Sequence, residues 1–194
     1  MRVLVACEES QEVCKAFRAK GHEAYSCDLL PCSGGHPEWH IRGDCIIEAY
    51  SGKYDLMIAH PPCTWLCQAM RTNAARKDRP NITPIFFSER QKAFDFFMSL
   101  YNAPINQIAV ENPIGYINSA FRKPDQIVRP WMHGHPYRKD VCLWLKNLPI
   151  IIPTNIVEGR KKLDFWSTKR NPNGVSLKSK TFPGIAAAMA AQWG

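Results

Sequence analysis

RVLVACEESQEVCKAFRAKGHEAYSCDL (residues 2–29) reads as strand, helix and strand in one pass. After Arg2, the run Val3-Leu4-Val5-Ala6 is apolar without alternation, the pattern of a strand buried on both faces of a parallel sheet. Val13 and Phe17 then repeat at helical spacing, Gly21 ends the stretch, and Ser10 stands where an N-cap belongs. EAYSCDL (23–29) supplies the second strand. Further along, YDLMIAHPPC (54–63), NQIAVENP (106–113) and VCLWLKN (141–147) each contain another strand. SERQKAFDFFMSLYN (88–102) is an amphipathic helix, Ile46–Tyr50 a short helical turn, and GIAAAMAAQW (184–193) an alanine-rich closing helix. Strands alternating with helices predict an α/β fold with a mainly parallel sheet and helices on both faces.

The chain has 194 residues, 45% of them hydrophobic and 22% charged, which excludes global disorder and suits one domain over 1–194. Its net charge is +8, and the excess is concentrated. Residues 122–180 hold 13 basic and 4 acidic side chains, a net of +9 on an otherwise near-neutral body. Such a block suits a polyanion such as nucleic acid, and equally a solubilising surface. No window approaches the ~20 apolar residues that span a bilayer, and the opening MRVLVACEES breaks its apolar run at Glu8, unlike a signal peptide. The eight cysteines therefore read as reduced thiols of a cytoplasmic protein. Cys27, Cys32, His36 and His40 have spacing compatible with tetrahedral zinc, against the simpler reading of a loop after a strand, and no metal is expected overall.

Open α/β sheets gather their functional residues at the carboxyl ends of strands. Three such ends are chemically unusual here. Cys7-Glu8-Glu9-Ser10 follows the first strand, and Asp28 closes the second about twenty residues on, where an acid ordinarily bonds a ribose hydroxyl. The glycines that let a pyrophosphate approach are missing, which suits a nucleoside cofactor without phosphates, such as S-adenosylmethionine. The other two ends are His60-Pro61-Pro62-Cys63 and Glu111-Asn112-Pro113.

Together these residues resemble the DNA cytosine-5 methyltransferase family, whose nucleophile motif is PPC and whose acid motif is ENV or a close variant. LVACEESQEVCKAF stands where that family has its first cofactor motif, and Gly43-Asp44 where it contacts adenine. YRKDVCLWL stands at the Arg-rich strand, and FPGIAAAMAAQWG is similar to the last motif. The resemblance implies a Rossmann-like S-adenosylmethionine-dependent methyltransferase fold. It makes Cys63 the nucleophile and Glu111 the acid, with Asn112 orienting the loop and Arg138 on the base oxygen. It also puts Cys7, Glu8, Ser10, Asp28, Asp44, Pro61, Gly184 and Ala186 around the cofactor. DNA is the implied partner, with the cytosine flipped out of a duplex.

The chemistry accounts for these residue types. Carbon 5 of cytosine is a poor nucleophile until a thiolate adds at carbon 6. That calls for a cysteine on a rigid turn near positive charge, which lowers its pKa. A carboxylic acid at ring nitrogen 3 stabilises the developing charge. The basic stretch 122–180 and the loop 64–82, with Arg71, Arg76, Lys77 and Arg79, are expected to face DNA. Trp131, Trp144 and Trp166 are candidates for base stacking or for the core. The chain departs from the family in HPPC for GPPC and in Pro113 for Val. The basic, turn-rich segment 150–180 also replaces a large target-recognition domain. Two alternatives stay open: an enzyme modifying carbon 5 of a free cytosine nucleotide, and a catalytically degenerate nucleic-acid-binding protein.

Overall fold

The computed structural model describes residues 1–68, 82–159, 161–162 and 180–194, with side chains for all but 82–84, 161 and 162. Its strands are β1 (Arg2–Ala6), β2 (Glu23–Asp28), β3 (His40–Arg42), β4 (Leu56–Ala59), β5 (Gln107–Asn112), β6 (Gln126–Val128), β7 (Tyr137–Arg138), β8 (Val141–Lys146) and β9 (Lys161–Lys162). Its helices are α1 (Glu12–Ala19), α2 (Cys45–Ala49), α3 (Ile82–Tyr101), α4 (Ile117–Ala120) and α5 (Pro183–Trp193). The main sheet runs β3-β2-β1-β4-β5-β8-β6, and β7 pairs separately with β9. From β3 to β5 every neighbour is parallel, while β8 runs antiparallel to both β5 and β6. The carboxyl ends of β1, β2, β4 and β5 therefore share one edge with the start of β8.

The central strands are buried on both faces, as their unbroken apolar runs require. Val3, Val5, Leu56, Ile58 and Leu143 pack toward α1 and α5, where Phe17 and Met189 are fully enclosed. Leu4, Ala6, Met57, Val110 and Trp144 pack toward α2, α3 and α4. Helices thus cover both faces of a mainly parallel sheet. Helix α3 starts six residues before the expected Ser88, because Pro84 falls in its first turn, where a missing N–H is tolerated. No described helix is long and apolar enough to cross a membrane.

One sequence expectation changes, and two readings left open are narrowed. The first concerns Ser10, which does not cap α1. Left-handed turns at Cys7 and Gln11 instead swing the Glu8 carboxylate beneath the helix, where it accepts from Val13 N–H (2.7 Å) and Cys14 N–H (3.2 Å). A carboxylate meets both the orphan donors and the helix dipole, so it outcompetes a hydroxyl. Burial pushes the Glu8 carboxyl above its ordinary value, with His60 and the two N–H groups pulling the other way. A raised folded value means Glu8 favours the folded state most fully in acid, and this preference is lost as pH rises through that value. Glu8→Ala should destabilise by about 1–2 kcal/mol in acid and by less toward neutrality, read from denaturant midpoints. A pH-independent difference would contradict this account.

The second concerns the candidate zinc group, whose members turn to separate partners. Cys27 Sγ faces the Gly43 carbonyl and Cys32 Sγ the Gln11 side chain. His36 stacks on Trp39, and His40 sits between Ser26 Oγ and the Leu30 carbonyl. Among the described residues no such group is arranged to hold a metal. The third is Trp144, a core residue: it is fully buried, edge-on to Phe97, and donates from Nε1 to the Arg122 carbonyl at 3.0 Å. Trp131 is half-buried, and Trp166 lies outside the described residues.

Candidate active site

The site forms where β4 and β5 stop. Pro61 and Pro62 have no N–H to continue the ladder, so the chain leaves the sheet at His60, whose own N–H still bonds the Ala6 carbonyl at 2.9 Å. Leu66 and Cys67 N–H both return to the Cys63 carbonyl at 3.0 Å, closing a turn that leaves Cys63 solvent-accessible. Asn112, buried at the end of β5, donates from Nδ2 to the Pro61 carbonyl at 3.0 Å and ties the two strand ends together. Tyr116 N–H bonds the Leu66 carbonyl at 2.8 Å, and Gly115 crosses so close that a Cβ there would strike that same carbonyl.

Glu111 is half-buried beside this turn and lies within electrostatic reach of Cys63. Its Oε2 lies 3.3 Å from His60 Nδ1. His60, Glu111, Lys139, Thr181, Phe182 and Met189 line an open cleft of about 300 Å³. Gly184 closes one wall by donating its N–H to His135 Nε2 at 2.9 Å, at a point where the His133 carbonyl leaves no room for a Cβ.

The charges differ from the sequence expectation. Desolvation by the surrounding protein pushes the Cys63 thiol up, the Glu111 and Cys67 charges add to this, and Lys139 pulls it down only in part. Burial also acts to raise Glu111, but the His60 hydrogen bond, the His60 charge and Lys139 outweigh it. Glu111 is therefore held below the usual carboxylate range, as an anion.

Cys63, Glu111 and Asn112 thus converge. Arg138 is exposed on β7, opposite Lys162 of β9, and the next residue, Lys139, is the cation that faces the cleft. His60 and Lys139 were missed by sequence reasoning. The HPPC departure marks His60, whereas Lys139 depends on a one-residue alternation before β8.

The cofactor candidates divide into two groups. Asp28 is half-buried at the end of β2, and its Oδ1 accepts from Leu30 N–H at 2.9 Å. Burial pushes its carboxyl up. Asp44 is exposed, with Oδ1 capping α2 through Ile46 N–H. Cys7 is half-buried, and Pro61 is buried along the same edge. These residues fit the ribose and adenine of a nucleoside. Glu8 and Ser10 are both buried, Glu8 beneath α1 and Ser10 against the loop at Gly34, whose neighbour Ser33 bonds Glu9 by backbone and side chain. Ala186 is also turned into the core, while its neighbour Ile185 borders the cleft. Arg71, Arg76, Lys77 and Arg79 lie outside the described residues, as do the side chains of Lys161 and Lys162.

No protein-family model matches the chain, and no curated protein matches its sequence. Solved structures do match. A prophage-encoded E. coli protein described as a DNA modification methyltransferase superposes with a TM-score of 0.50 at 13% identity, covering 82% of this chain and 53% of its own. This chain and that protein share a fold. The S. pombe Dnmt2 methyltransferase aligns at 14% identity with a TM-score of 0.48, covering 84% of this chain and 52% of its own. The chain spans about half the length of these solved structures. In this fold the sheet order 3-2-1-4-5 places the switch between β1 and β4, beside Cys7 and His60.

Proposed function

We propose that this chain is a compact S-adenosylmethionine-dependent methyltransferase acting on carbon 5 of cytosine in DNA, in the cytoplasm. The observation that carries the reading is the convergence of Cys63 and Glu111 on one carboxyl edge, pinned by the Asn112–Pro61 bond. S-adenosylmethionine would be held by Asp28, Asp44, Cys7 and the backbone at Pro61, and supplies an electrophilic methyl group when bound. Cys63 adds to carbon 6 of the ring, Glu111 in its protonated form donates to ring nitrogen 3, and Asn112 keeps the two strand ends in register. The thiol must lose its proton to act, and Lys139 favours the thiolate. Arg138 is assigned to the rim with the basic segment, where it meets phosphate rather than the base.

Methyl transfer from labelled cofactor to duplex DNA, compared with dCMP, tests the reading. Label in carbon 5 of DNA cytosine supports it, label only in dCMP favours the nucleotide-level enzyme, and no label in either refutes both. Asp28→Ala should weaken cofactor binding by about 1–3 kcal/mol in calorimetry, the cost of stranding ribose hydroxyls. Unchanged affinity would remove Asp28 from the cofactor site.

A further inference from the structure

His60 stands where the family that this chain resembles carries glycine, and the reading above gives it no part in the reaction. Its Nδ1 lies 3.3 Å from Glu111 Oε2, while its Nε2 is buried without a hydrogen-bond partner among the described residues. The ring also faces Glu8, whose carboxylate it stabilises from across the β1–α1 turn. One imidazole thus contacts the Glu111 carboxylate directly and lies within electrostatic reach of a second, Glu8. Lys139, just before β8, Cys142 within β8 and Cys63, just after β4, are the further titratable groups near the pair among the described residues.

This arrangement meets a chemical conflict. A carboxyl that gives a proton to ring nitrogen 3 near neutrality needs a raised pKa, whereas Glu111 is held as an anion. A second proton holder in hydrogen-bond contact removes the conflict. We infer that His60 is a positioning residue that stores the proton for Glu111, paired with it as imidazolium and carboxylate until substrate enters. On binding, the Nδ1–H bond breaks and an O–H bond forms on Glu111, leaving neutral imidazole and neutral carboxylic acid with total charge unchanged. That proton moves to ring nitrogen 3 as the Cys63 thiolate adds to carbon 6. After methyl transfer, the hydrogen of carbon 5 leaves as a proton to solvent water, and its electron pair re-forms the 5,6 double bond and expels the Cys63 thiolate. Ring nitrogen 3 returns its proton to Glu111, from which it passes to His60 and resets the pair. The substrate half of this inference rests on the cytosine-5 reading, while the His60–Glu111 pairing does not.

Two measurements separate the halves. In full-length protein with labelled histidine, the His60 ring nitrogens are titrated by NMR in wild type, E111Q and E8Q. E111Q should lower His60 proton affinity about tenfold or more, since it removes the adjacent charge. An unchanged midpoint overturns the pairing whatever the substrate is. In kinetics, H60Q should lower kcat with little change in KM for DNA, and should move the alkaline limb of the kcat profile toward acid. The rising limb, set by Cys63, should stay in place. A wild-type profile in H60Q overturns the relay. If H60Q fails to fold, H60G serves, because glycine is the residue that the family carries there. A wild type that methylates neither DNA nor dCMP refutes the cytosine-5 reading, and the NMR titration still decides the pairing.

Discussion

Cys63→Ala should lower methyl transfer by roughly 10⁴-fold or more, because the covalent route to an activated carbon 5 disappears with the nucleophile. Cofactor affinity should stay unchanged, since Cys63 lies beyond Pro61 and Pro62 from the cofactor edge. Cys67→Ala is the matched control. Its thiol sits one turn on, half-buried and directed at the Thr64 carbonyl, so its loss should leave the rate close to wild type. Single-turnover assays with labelled cofactor check both variants. Substantial transfer by Cys63→Ala would overturn the nucleophile assignment.

The largest effect on stability is expected at Trp144. Its ring is fully enclosed between the sheet and α3, edge-on to Phe97 at 5.2 Å, and its N–H is satisfied inside the protein. Trp144→Ala removes that volume and leaves the Arg122 carbonyl without its donor, which should destabilise by about 3–5 kcal/mol. For a chain of this size, that lowers Tm by about 10 °C or more. Trp144→Phe should lose less, since it keeps the ring and sacrifices only the hydrogen bond. Thermal unfolding followed by calorimetry decides the matter. A near-normal Tm for Trp144→Ala would mean that this ring is not a core element.

The strands that build the sheet were readable because burial on both faces demands continuous apolar runs, and β1, β4, β5 and β8 have them. Direction was not readable. The run Val141–Leu145 looks the same whether it lies parallel or antiparallel, and only its pairing with Glu111 and Asn112 sets its sense. The edge strands β3 and β6 were also missed. His40–Arg42 and Gln126–Val128 are three-residue segments that owe their strand form to the neighbour they pair with. In the candidate site, the turn at Cys63 followed from two prolines, a local signal. The Glu8 cap and the cleft cation Lys139 depend on how loops swing side chains inward, which neither periodicity nor motif encodes. The charge state followed the same division. Residue types pointed to an activated thiol and a proton-bearing acid, but the partial desolvation of the thiol by its neighbours and the His60 contact on Glu111 exist only in three dimensions.

The claim on which the rest depends is that Cys63 attacks carbon 6 of a cytosine held in DNA. Duplex DNA carrying 5-fluorocytosine tests it most directly, because fluorine at carbon 5 blocks the elimination that would release the enzyme. Incubated with S-adenosylmethionine, the protein should become covalently joined to this DNA, and peptide mass spectrometry should place the nucleotide on Cys63. An adduct on another cysteine, or methylation of ordinary cytosine with no trapping by the fluorinated base, would contradict the account.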